Sequence, residues 1–379
     1  MTDPRHVALY VHWPFCQAKC PYCDFNSHVV AGVDHSRWRN ALVAELDRVA
    51  SDVPDRILTS IFFGGGTPSL MQPQTVRAII DAARTRWSVA NDVEITLEAN
   101  PTSVEADKFR AFRDAGVNRV SVGLQALNDT DLRALGRLHS ADEGIRAFET
   151  ARDVFARTSF DLIYARQHQT REAWEQELRR AIGFGPDHMS LYQLTIEPGT
   201  AFGDRFDRGR LKGLPDEDIA ADMYELTQSI TASAGLPAYE VSNHARPGAE
   251  SLHNLTYWRA GDWVGIGPGA HGRFTRHGTR LATETFLAPG AWITAVESGN
   301  GENNRQSVSP DDIQAERLMM GLRLTEGVPV EDIAPDFLSR VHEINELMES
   351  PALDVSNGRL RVTSSGRPVL NAVLRELLV

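Results

Sequence analysis

The alternation of β-rich runs with helical patterns is the feature that most limits how this chain can fold. Before residue 200, six short β-rich runs each precede or follow a segment with apolar residues three and four positions apart. Helical segments of this kind span residues 37–49, 76–87 and 106–115. Repeated strand, crossover helix and strand predict a parallel sheet, and six repeats are too few to close an eight-stranded barrel. We therefore predict an α/β fold with an open, partial (β/α)6 barrel, whose strands are HVALYVHW, ILTSIFF, DVEITLE, NRVSVGLQ, SFDLIYA and DHMSLYQLT.

The most distinctive polar and glycine-rich motifs follow these predicted strands directly. In parallel α/β folds the chemistry lies at the carboxyl ends of the strands, so these motifs are expected to meet at one end of the barrel. All the cysteines follow the first strand, GGGTPS follows the second and EANPTS the third. LQALND follows the fourth strand and TIEPGT the sixth. The sequence therefore predicts one composite site at this end.

The three cysteines of the chain, Cys16, Cys20 and Cys23, lie within eight positions. An odd number of closely spaced cysteines argues against a disulfide framework and is typical of a reducing compartment. Three interpretations remain open. The thiolates could bind zinc together with His12 or His28, CPYC could be a redox dithiol, or the thiolates could hold a [4Fe–4S] cluster with one iron left free. The apolar and aromatic neighbours favour the cluster, because they keep water away from its sulfurs.

The glycines of the second motif, Gly64, Gly65 and Gly66, suit a loop that must approach a ligand closely. Without side chains, their backbone groups can come near a bound molecule. A tight turn after the strand is the alternative explanation, and it accounts for one glycine more easily than for three.

CxxxCxxC after a first strand, followed by GGGTP after the second, resembles the radical S-adenosylmethionine (SAM) superfamily. The resemblance implies that the amino and carboxylate groups of SAM chelate the free iron. It also implies that Glu98 and Asp161 accept hydrogen bonds from ribose hydroxyls and that Arg137 pairs with the methionyl carboxylate. The cofactor-binding residues that it implies are Tyr10, Tyr22, Gly65, Gly66, Thr67, Glu98, Gln125, Arg137 and Asp161.

A closer resemblance, to the family of oxygen-independent coproporphyrinogen III oxidase and its haem-chaperone branch, covers nearly the whole chain. The motifs that carry it include YVHWPFCQAKCPYCDFNSH, SLYQLTIEPGT, YEVSNHA, HNLTYW and GIGPGAHGRF. The oxidase has a further cysteine two positions after the third ligand and a long segment before the cluster loop. Here Phe25 occupies that position and fifteen residues precede Cys16. Both features favour the haem-chaperone branch, HemW, as does the match of HNLTYW to its HNxxYW motif.

The resemblance implies that haem is the cargo and that acceptor haemoproteins receive it, close to a membrane. Candidate haem-binding residues are His253, Tyr257, Trp258 and His271, and Arg273 is a candidate partner for the propionates. The alternative for HNLTYW is a structural loop whose aromatic side chains fill a core. The electron donor is expected to be a flavodoxin or ferredoxin. The competing function is that of the oxidase, which decarboxylates propionates in porphyrin biosynthesis.

The sequence divides into a core barrel at residues 1–235, an aromatic and glycine-rich extension packed on it at 236–310, and a C-terminal module at 311–379. GRLRVTSSGRPVLNAVLREL predicts two β runs and a helix, as in a winged-helix-like α+β module. With a net charge of −12 and no basic run, nucleic acid is not an expected partner. No apolar run is long enough to span a bilayer and no leader is recognisable, so the expected location is the cytoplasm.

One segment departs from the family pattern. Relatives commonly have Gly-Leu-Pro-Gly after DLIY, whereas this chain has Ala165, Arg166, Gln167 and His168. We therefore expect a loop of different shape there, with Asp161 kept in place.

Overall fold

The computed structural model describes residues 3–101, 108–346 and 351–378. Its strands, in chain order, are β1 His6–Trp13, β2 Phe15–Cys16, β3 His28–Val29, β4 Ile57–Gly65, β5 Ser88–Ala99, β6 Arg119–Gln125, β7 Arg157–Tyr164, β8 His188–Gln193, β9 Asn243–Ala245, β10 Trp263–Ile266, β11 His271–Arg276, β12 Thr279–Thr285, β13 Glu302–Ser307, β14 Val328–Pro329, β15 Leu353–Ser356 and β16 Arg359–Val362.

The helices connect these strands. They are α1 His35–Asp52, α2 Pro73–Arg86, α3 Phe109–Ala115, α4 Asp129–Ala134, α5 Ala141–Val154, α6 Arg171–Ile182, α7 Ala201–Asp207, α8 Glu217–Ser233, α9 Leu252–Trp258, α10 Pro289–Glu297, α11 Pro310–Gly321, α12 Pro335–Glu346 and α13 Leu370–Leu378, with 3-10 turns at Pro68–Leu70, Val330–Asp332 and Arg367–Val369. In the described part of the chain, no helix combines the length and apolarity that crossing a membrane requires.

The predicted partial barrel is confirmed. Strands β1, β4, β5, β6, β7 and β8 lie side by side in that order, and each neighbouring pair is parallel. All six predicted strands coincide with observed ones. Of the predicted helix at 106–115, residues 106 and 107 lie outside the described residues, and α3 covers the rest.

The sheet continues beyond the six barrel strands on both edges. Strand β10 adds to β1 in parallel, antiparallel strands β11, β12 and β13 follow it, and β9 pairs with β8 at the other edge. The extension predicted at 236–310 therefore contributes strands to the barrel sheet. Arg48 of α1 links the last strand of the extension, β13, to the barrel. Its guanidinium lies 2.8 Å from Glu302 of β13 and 2.6 Å from Glu45 of α1.

Strand residues alternate between the helical layer and the barrel lumen, as the period of two requires. Val7, Leu9 and Val11 of β1 are buried in the main hydrophobic core together with residues of α1 and α2. Tyr10, between them, belongs to the opposite face and stacks on Phe62 of β4 with ring centroids 6.4 Å apart. The lumen therefore contains polar and aromatic side chains, and the apolar core lies outside the strands.

The C-terminal module has its own hydrophobic core and a three-stranded antiparallel sheet in the order β14, β16, β15. The predicted pair of β runs corresponds to β15 and β16, and the predicted final helix to α13. This arrangement agrees with the predicted winged-helix-like α+β topology.

The loop after β7 keeps a left-handed backbone although it lacks the expected glycines. Ala165 has a φ of 56° and His168 a φ of 62°, at the two positions where relatives commonly have glycine. Buried Arg166 supports the loop, because its guanidinium lies 2.7 Å from Asp131 and 2.5 Å from Glu177. At these two positions the chain therefore adopts the left-handed backbone that glycine favours, and the expected difference in loop shape is not seen there.

Replacing His168 with glycine is expected to stabilise the protein. The left-handed conformation costs a non-glycine residue about 1–2 kcal/mol, and glycine would remove this cost. The greater conformational freedom of glycine in the unfolded chain offsets about half of that stabilisation. His168 is exposed, so little burial is lost. We expect a rise of about 0.5–1 kcal/mol in unfolding free energy, measured as a thermal midpoint about 1–3 °C higher.

Gln167→Gly is the matched control for this substitution. Gln167 is not among the residues with positive φ, and its side chain donates a hydrogen bond to the Lys212 carbonyl. Its replacement should lower the midpoint. A lower midpoint for both variants would show that the backbone at His168 is not strained.

Candidate functional site

The cysteine loop lies at the carboxyl end of β1. Cys16 belongs to β2, which pairs in parallel with β3, and the Cys23 N–H donates to the Cys20 carbonyl over 3.2 Å. None of the three thiols forms a disulfide, and all are partly exposed.

Hydrogen bonds to the barrel fix the shape of this loop. One nitrogen of His12, Nε2, lies 2.8 Å from the Asn26 carbonyl oxygen, and the other, Nδ1, lies 3.1 Å from the Tyr10 hydroxyl. The Asn26 amide donates over 2.9 Å to the carbonyls of Pro268 and Leu287. Strand β1 and the extension therefore hold the loop from two sides. His12 was a candidate zinc ligand, and here its two ring nitrogens already have partners.

Polar donors are aimed at two of the sulfurs. The Thr67 hydroxyl lies 3.4 Å from Cys16 Sγ, and a guanidinium nitrogen of Arg137 lies 3.6 Å from Cys20 Sγ. Burial raises the pKa of the Cys16 and Cys23 thiols, and the Thr67 hydrogen bond opposes this rise at Cys16. Such donors stabilise sulfur that carries negative charge, which suits thiolates bound to a metal cluster.

The two histidines that could complete a zinc site already have partners. His12 Nε2 lies 2.8 Å from the Asn26 carbonyl oxygen, and His28 Nε2 lies 3.1 Å from the Asn26 side-chain oxygen. The thiols, their donors and the apolar surroundings fit an iron–sulfur cluster.

The glycine loop after β4 packs directly beneath the cysteine loop. Gly65 has a φ of 107°, and a Cβ at this position would lie 2.6 Å from the His12 ring. A Cβ at Gly66 would lie 2.7 Å from the Phe15 carbonyl oxygen. Close approach of the two loops therefore requires both glycines. The packing of the two loops is thus a second reason for these glycines, beside the predicted close approach to a ligand.

Two predicted carboxylates face the lumen beneath these loops. Burial and the nearby Asp161 raise the pKa of Glu98 to about 8, while a hydrogen bond from the Gly65 N–H opposes this rise. Burial raises the pKa of Asp161 to about 6, against the opposing effects of Arg137 and Gln125. One oxygen of Asp161 accepts a hydrogen bond from the Gln125 amide over 2.6 Å, and the other, Oδ1, is buried without a partner. An unpaired buried carboxylate oxygen is suited to a ligand hydroxyl.

The remaining predicted cofactor residues form a chain of contacts from the cysteine loop to Asp161. The Tyr22 hydroxyl donates to the side-chain oxygen of Gln125, Oε1, over 3.1 Å, and Gln125 has a φ of 68°. Arg137 donates to the Asn100 side-chain oxygen over 2.8 Å and to the Gly123 carbonyl over 3.1 Å, while its Nε has no partner. The structure thus gathers all nine predicted residues around the carboxyl end of the barrel.

Sequence reasoning missed two side chains of this region, Asn100 and Tyr192, and gave His12 a different role. The Asn100 side-chain oxygen accepts from Arg137 over 2.8 Å, and its amide donates to the Thr67 hydroxyl over 3.3 Å. His12, a candidate zinc ligand, instead supports the cysteine loop. On β8, Tyr192 alternates with the buried Leu191 and therefore faces the lumen. Burial raises the pKa of its hydroxyl, and the nearby carboxylates of Asp161 and Glu98 raise it further. Asn100 lies in the quoted motif EANPTS, whose residues 102 and 103 are outside the described residues.

The haem candidates do not all come together: His253 and Tyr257 are in contact, but Trp258 and His271 lie away from them. His253 lies in α9, its ring stacks on Phe62 of β4 with centroids 5.0 Å apart, and only 1% of its surface is exposed. Its Nδ1 is 2.8 Å from the Ser60 hydroxyl and its Nε2 is 2.7 Å from the Tyr257 hydroxyl. Burial lowers its pKa to about 3. In this conformation neither ring nitrogen is free to ligate iron.

A buried ion cluster fixes the start of α9. One oxygen of Glu94 accepts hydrogen bonds from the Ser251 hydroxyl and the His253 N–H, both over 3.2 Å. The other lies 2.9 Å from the guanidinium groups of Arg119 and Arg157. Because the carboxylate is fully buried, these partners decide where the HNLTYW segment lies.

Trp258 and His271 lie away from His253. Trp258 ends α9, lines a cleft outside the lumen and has an indole N–H without a partner. His271 begins β11, at the end of the barrel that carries the cysteine loop, and its exposed ring is 3.9 Å from Glu284. Arg273, the predicted propionate partner, is paired with Glu316 at 3.0 Å.

Two family models match the chain. The model of the radical SAM superfamily matches residues 10–181, and that of the HemN C-terminal domain matches residues 308–369. Among solved structures, coproporphyrinogen III oxidase (HemN) from Escherichia coli, a radical SAM enzyme, is similar with a TM-score of 0.82. It is 22% identical in sequence and the match covers 98% of this chain and 89% of that one. The resemblance in fold therefore extends from the barrel through the C-terminal module.

Two curated relatives are similar over almost the full length of the chain. The haem chaperone HemW from E. coli K12 is 38% identical over 379 residues, which cover 98% of both chains. The radical SAM domain-containing protein 1, mitochondrial, from Mus musculus is 41% identical over 386 residues, which cover 98% of this chain and 87% of the relative. The chain thus belongs to the radical SAM superfamily and, within it, to the family of the haem chaperone HemW.

Proposed function

We propose that this protein is a haem chaperone that binds a [4Fe–4S] cluster and SAM at the carboxyl end of its barrel and delivers haem to acceptor haemoproteins. The observation that carries the proposal is the similarity to HemW, which spans barrel, extension and C-terminal module alike. Its expected compartment is the cytoplasm, whereas the mouse and cattle relatives are named mitochondrial.

The residues around the cysteine loop fit both bound groups. Cys16, Cys20 and Cys23 would supply the cluster thiolates, with Thr67 and Arg137 donating to their sulfurs. When bound together, the cluster and SAM supply one-electron cleavage of the sulfonium. The electron is expected to come from a flavodoxin or ferredoxin.

The carboxylates beneath the cysteine loop suit the nucleoside part of SAM. Asp161 offers its unpartnered oxygen to a ribose hydroxyl, and Glu98 offers a second acceptor. Tyr10 and Phe62 line the lumen beside them and exclude water. In this proposal, these side chains bind and orient SAM and do not transfer protons.

Sequence similarity favours the chaperone over the coproporphyrinogen III oxidase. HemW from E. coli is 38% identical over 98% of both chains, whereas the E. coli oxidase is 22% identical over 98% of this chain. Phe25 also occupies the position at which the oxidase has a further cysteine.

A direct comparison of the two activities tests the proposal. Anaerobically reconstituted protein is titrated with haem by absorbance, mixed with an apo-haemoprotein, and separately incubated with coproporphyrinogen III, SAM and reductant. We expect saturable haem binding and transfer, without decarboxylated porphyrin in the last reaction. The E. coli oxidase serves as the positive control. Steady decarboxylation, or an absence of haem binding, would overturn the proposal.

The affinity for SAM is expected to rise with pH. Ionised carboxylates accept hydrogen bonds from hydroxyls better than neutral ones do. With pKa values of about 6 for Asp161 and about 8 for Glu98, both acids are largely protonated at pH 5.5 and largely ionised at pH 9. Affinity should therefore increase across this window, by up to about tenfold per pH unit where one ionised form alone binds.

Equilibrium titration of the cluster-loaded protein measures this effect. In Glu98→Gln the increase above pH 7 should become smaller, since only deprotonation of the iron-chelating SAM amino group then contributes in that range. The increase caused by Asp161 below pH 7 should remain. An affinity that does not change with pH in the unaltered protein would show that neither carboxylate contacts SAM in its ionised form.

A further inference from the structure

A large cleft lies at the amino end of the barrel, opposite the cysteine loop. Its volume is about 1140 Å³, slightly above the range of about 300–1,000 Å³ that ligand pockets usually have. The start of β1, the end of α9 and the C-terminal module all border it. Since β1 ends at the cysteine loop and begins at this cleft, the length of the barrel separates the two sites.

The walls of the cleft offer flat and apolar surface. Trp258 is the only tryptophan of its lining, and aliphatic side chains from α9 and from the C-terminal module surround it. These are Leu252, Leu255, Leu324 and Val328. Sites for planar cofactors usually combine such surface with a few polar groups.

One corner of the cleft has an excess of positive charge. Arg259 and Arg359 lie 2.8 Å and 3.5 Å from the same carboxylate, that of Glu326. The Arg259–Glu326 pair is exposed, so its contribution to stability is small and a ligand carboxylate can replace it. Elsewhere in the lining, Arg280 pairs with Asp262 and Arg317 with Asp332.

The remaining acidic residues of the lining, Asp3 and Asp92, lie outside the corner around Glu326. Asp3 is paired with Arg5 at 2.6 Å, and Asp92 has no ion pair in the described part of the chain. At the corner around Glu326, two guanidinium groups therefore meet one carboxylate, which suits a propionate. Arg359 also donates to the Glu326 and Gly327 carbonyls over 2.6 Å and 2.8 Å, and these bonds fix its position.

A single histidine faces the cleft. His6 is the first residue of β1, is exposed, and is the only histidine among the lining residues. Its ring makes no hydrogen bond within the described residues, in contrast to His253, whose two nitrogens are occupied in the buried lumen. Of the two imidazoles, His6 is therefore the one that a ligand entering the cleft can reach.

We propose that haem binds in this cleft, with His6 as an axial ligand of the iron, Trp258 against the macrocycle, and a propionate at Arg259 and Arg359. The inference rests on the proposed haem-chaperone function and places its cargo. His253 then orients α9, and through it Trp258, without touching iron. Because the cleft and the cysteine loop lie at opposite ends of the barrel, haem binding does not require SAM.

Absorbance titration of the full chain with haem tests this site. His6→Ala should weaken haem binding at least tenfold and shift the Soret band, because the axial nitrogen is lost. His342→Ala is the matched control, since it removes an exposed histidine outside the lining of the cleft and should leave affinity and spectrum unchanged. His271→Ala tests the alternative site beside the cysteine loop. Thermal midpoints of all three variants verify that each is folded.

The possible results distinguish failure of the proposed haem site from failure of the proposed function. If the unaltered protein binds no haem, the proposed function fails together with the site. If it binds haem and His6→Ala keeps the same affinity and spectrum, only the cleft is refuted. Loss of binding in His271→Ala, with His6→Ala unaffected, would place haem beside the cysteine loop and would also refute the cleft.

Discussion

The buried carboxylate of Glu94 is the interaction on which the layout of this molecule depends. It compensates two guanidinium groups from neighbouring strands and accepts hydrogen bonds from the first turn of α9. Removing one partner of such a buried cluster typically costs about 3–5 kcal/mol, since a charge is then left unpaired in the interior. The cluster closes the amino end of the lumen and holds HNLTYW there. The cysteine and glycine loops meet at the opposite, carboxyl end.

The two ends of the barrel therefore present different sets of side chains. At the carboxyl end, the thiols, the glycine loop and two carboxylates with raised pKa values surround the mouth of the lumen. At the amino end, α9 presents His253 to the lumen and Trp258 to the cleft beneath the C-terminal module. One seven-residue helix therefore contributes to both environments. In the proposed arrangement, the haem cleft and the cluster site therefore lie at opposite ends of the barrel.

Local patterns in the sequence predicted the barrel well, because strand period, crossover helices and the positions of loops follow from neighbouring residues. Cys16, Glu98 and Asp161 were placed correctly at one end, since parallel strands must all end there. His253 was harder to interpret, because its burial depends on Ser60, nearly two hundred residues away, and on the ion cluster around Glu94. The cleft depends on how the C-terminal module packs against the barrel, which no local pattern encodes. Nor did the sequence show that Ala165 and His168 adopt the left-handed backbone expected of glycine.

The central claim is that three thiolates hold a four-iron cluster and leave one iron accessible from the lumen. Metal and sulfide analysis combined with electron paramagnetic resonance, on anaerobically reconstituted and reduced protein, tests it most directly. We predict about four iron and four sulfide per chain, and a signal whose g values change when SAM is added but not when haem is added. One zinc per chain, or a signal that responds to haem and ignores SAM, would contradict this account.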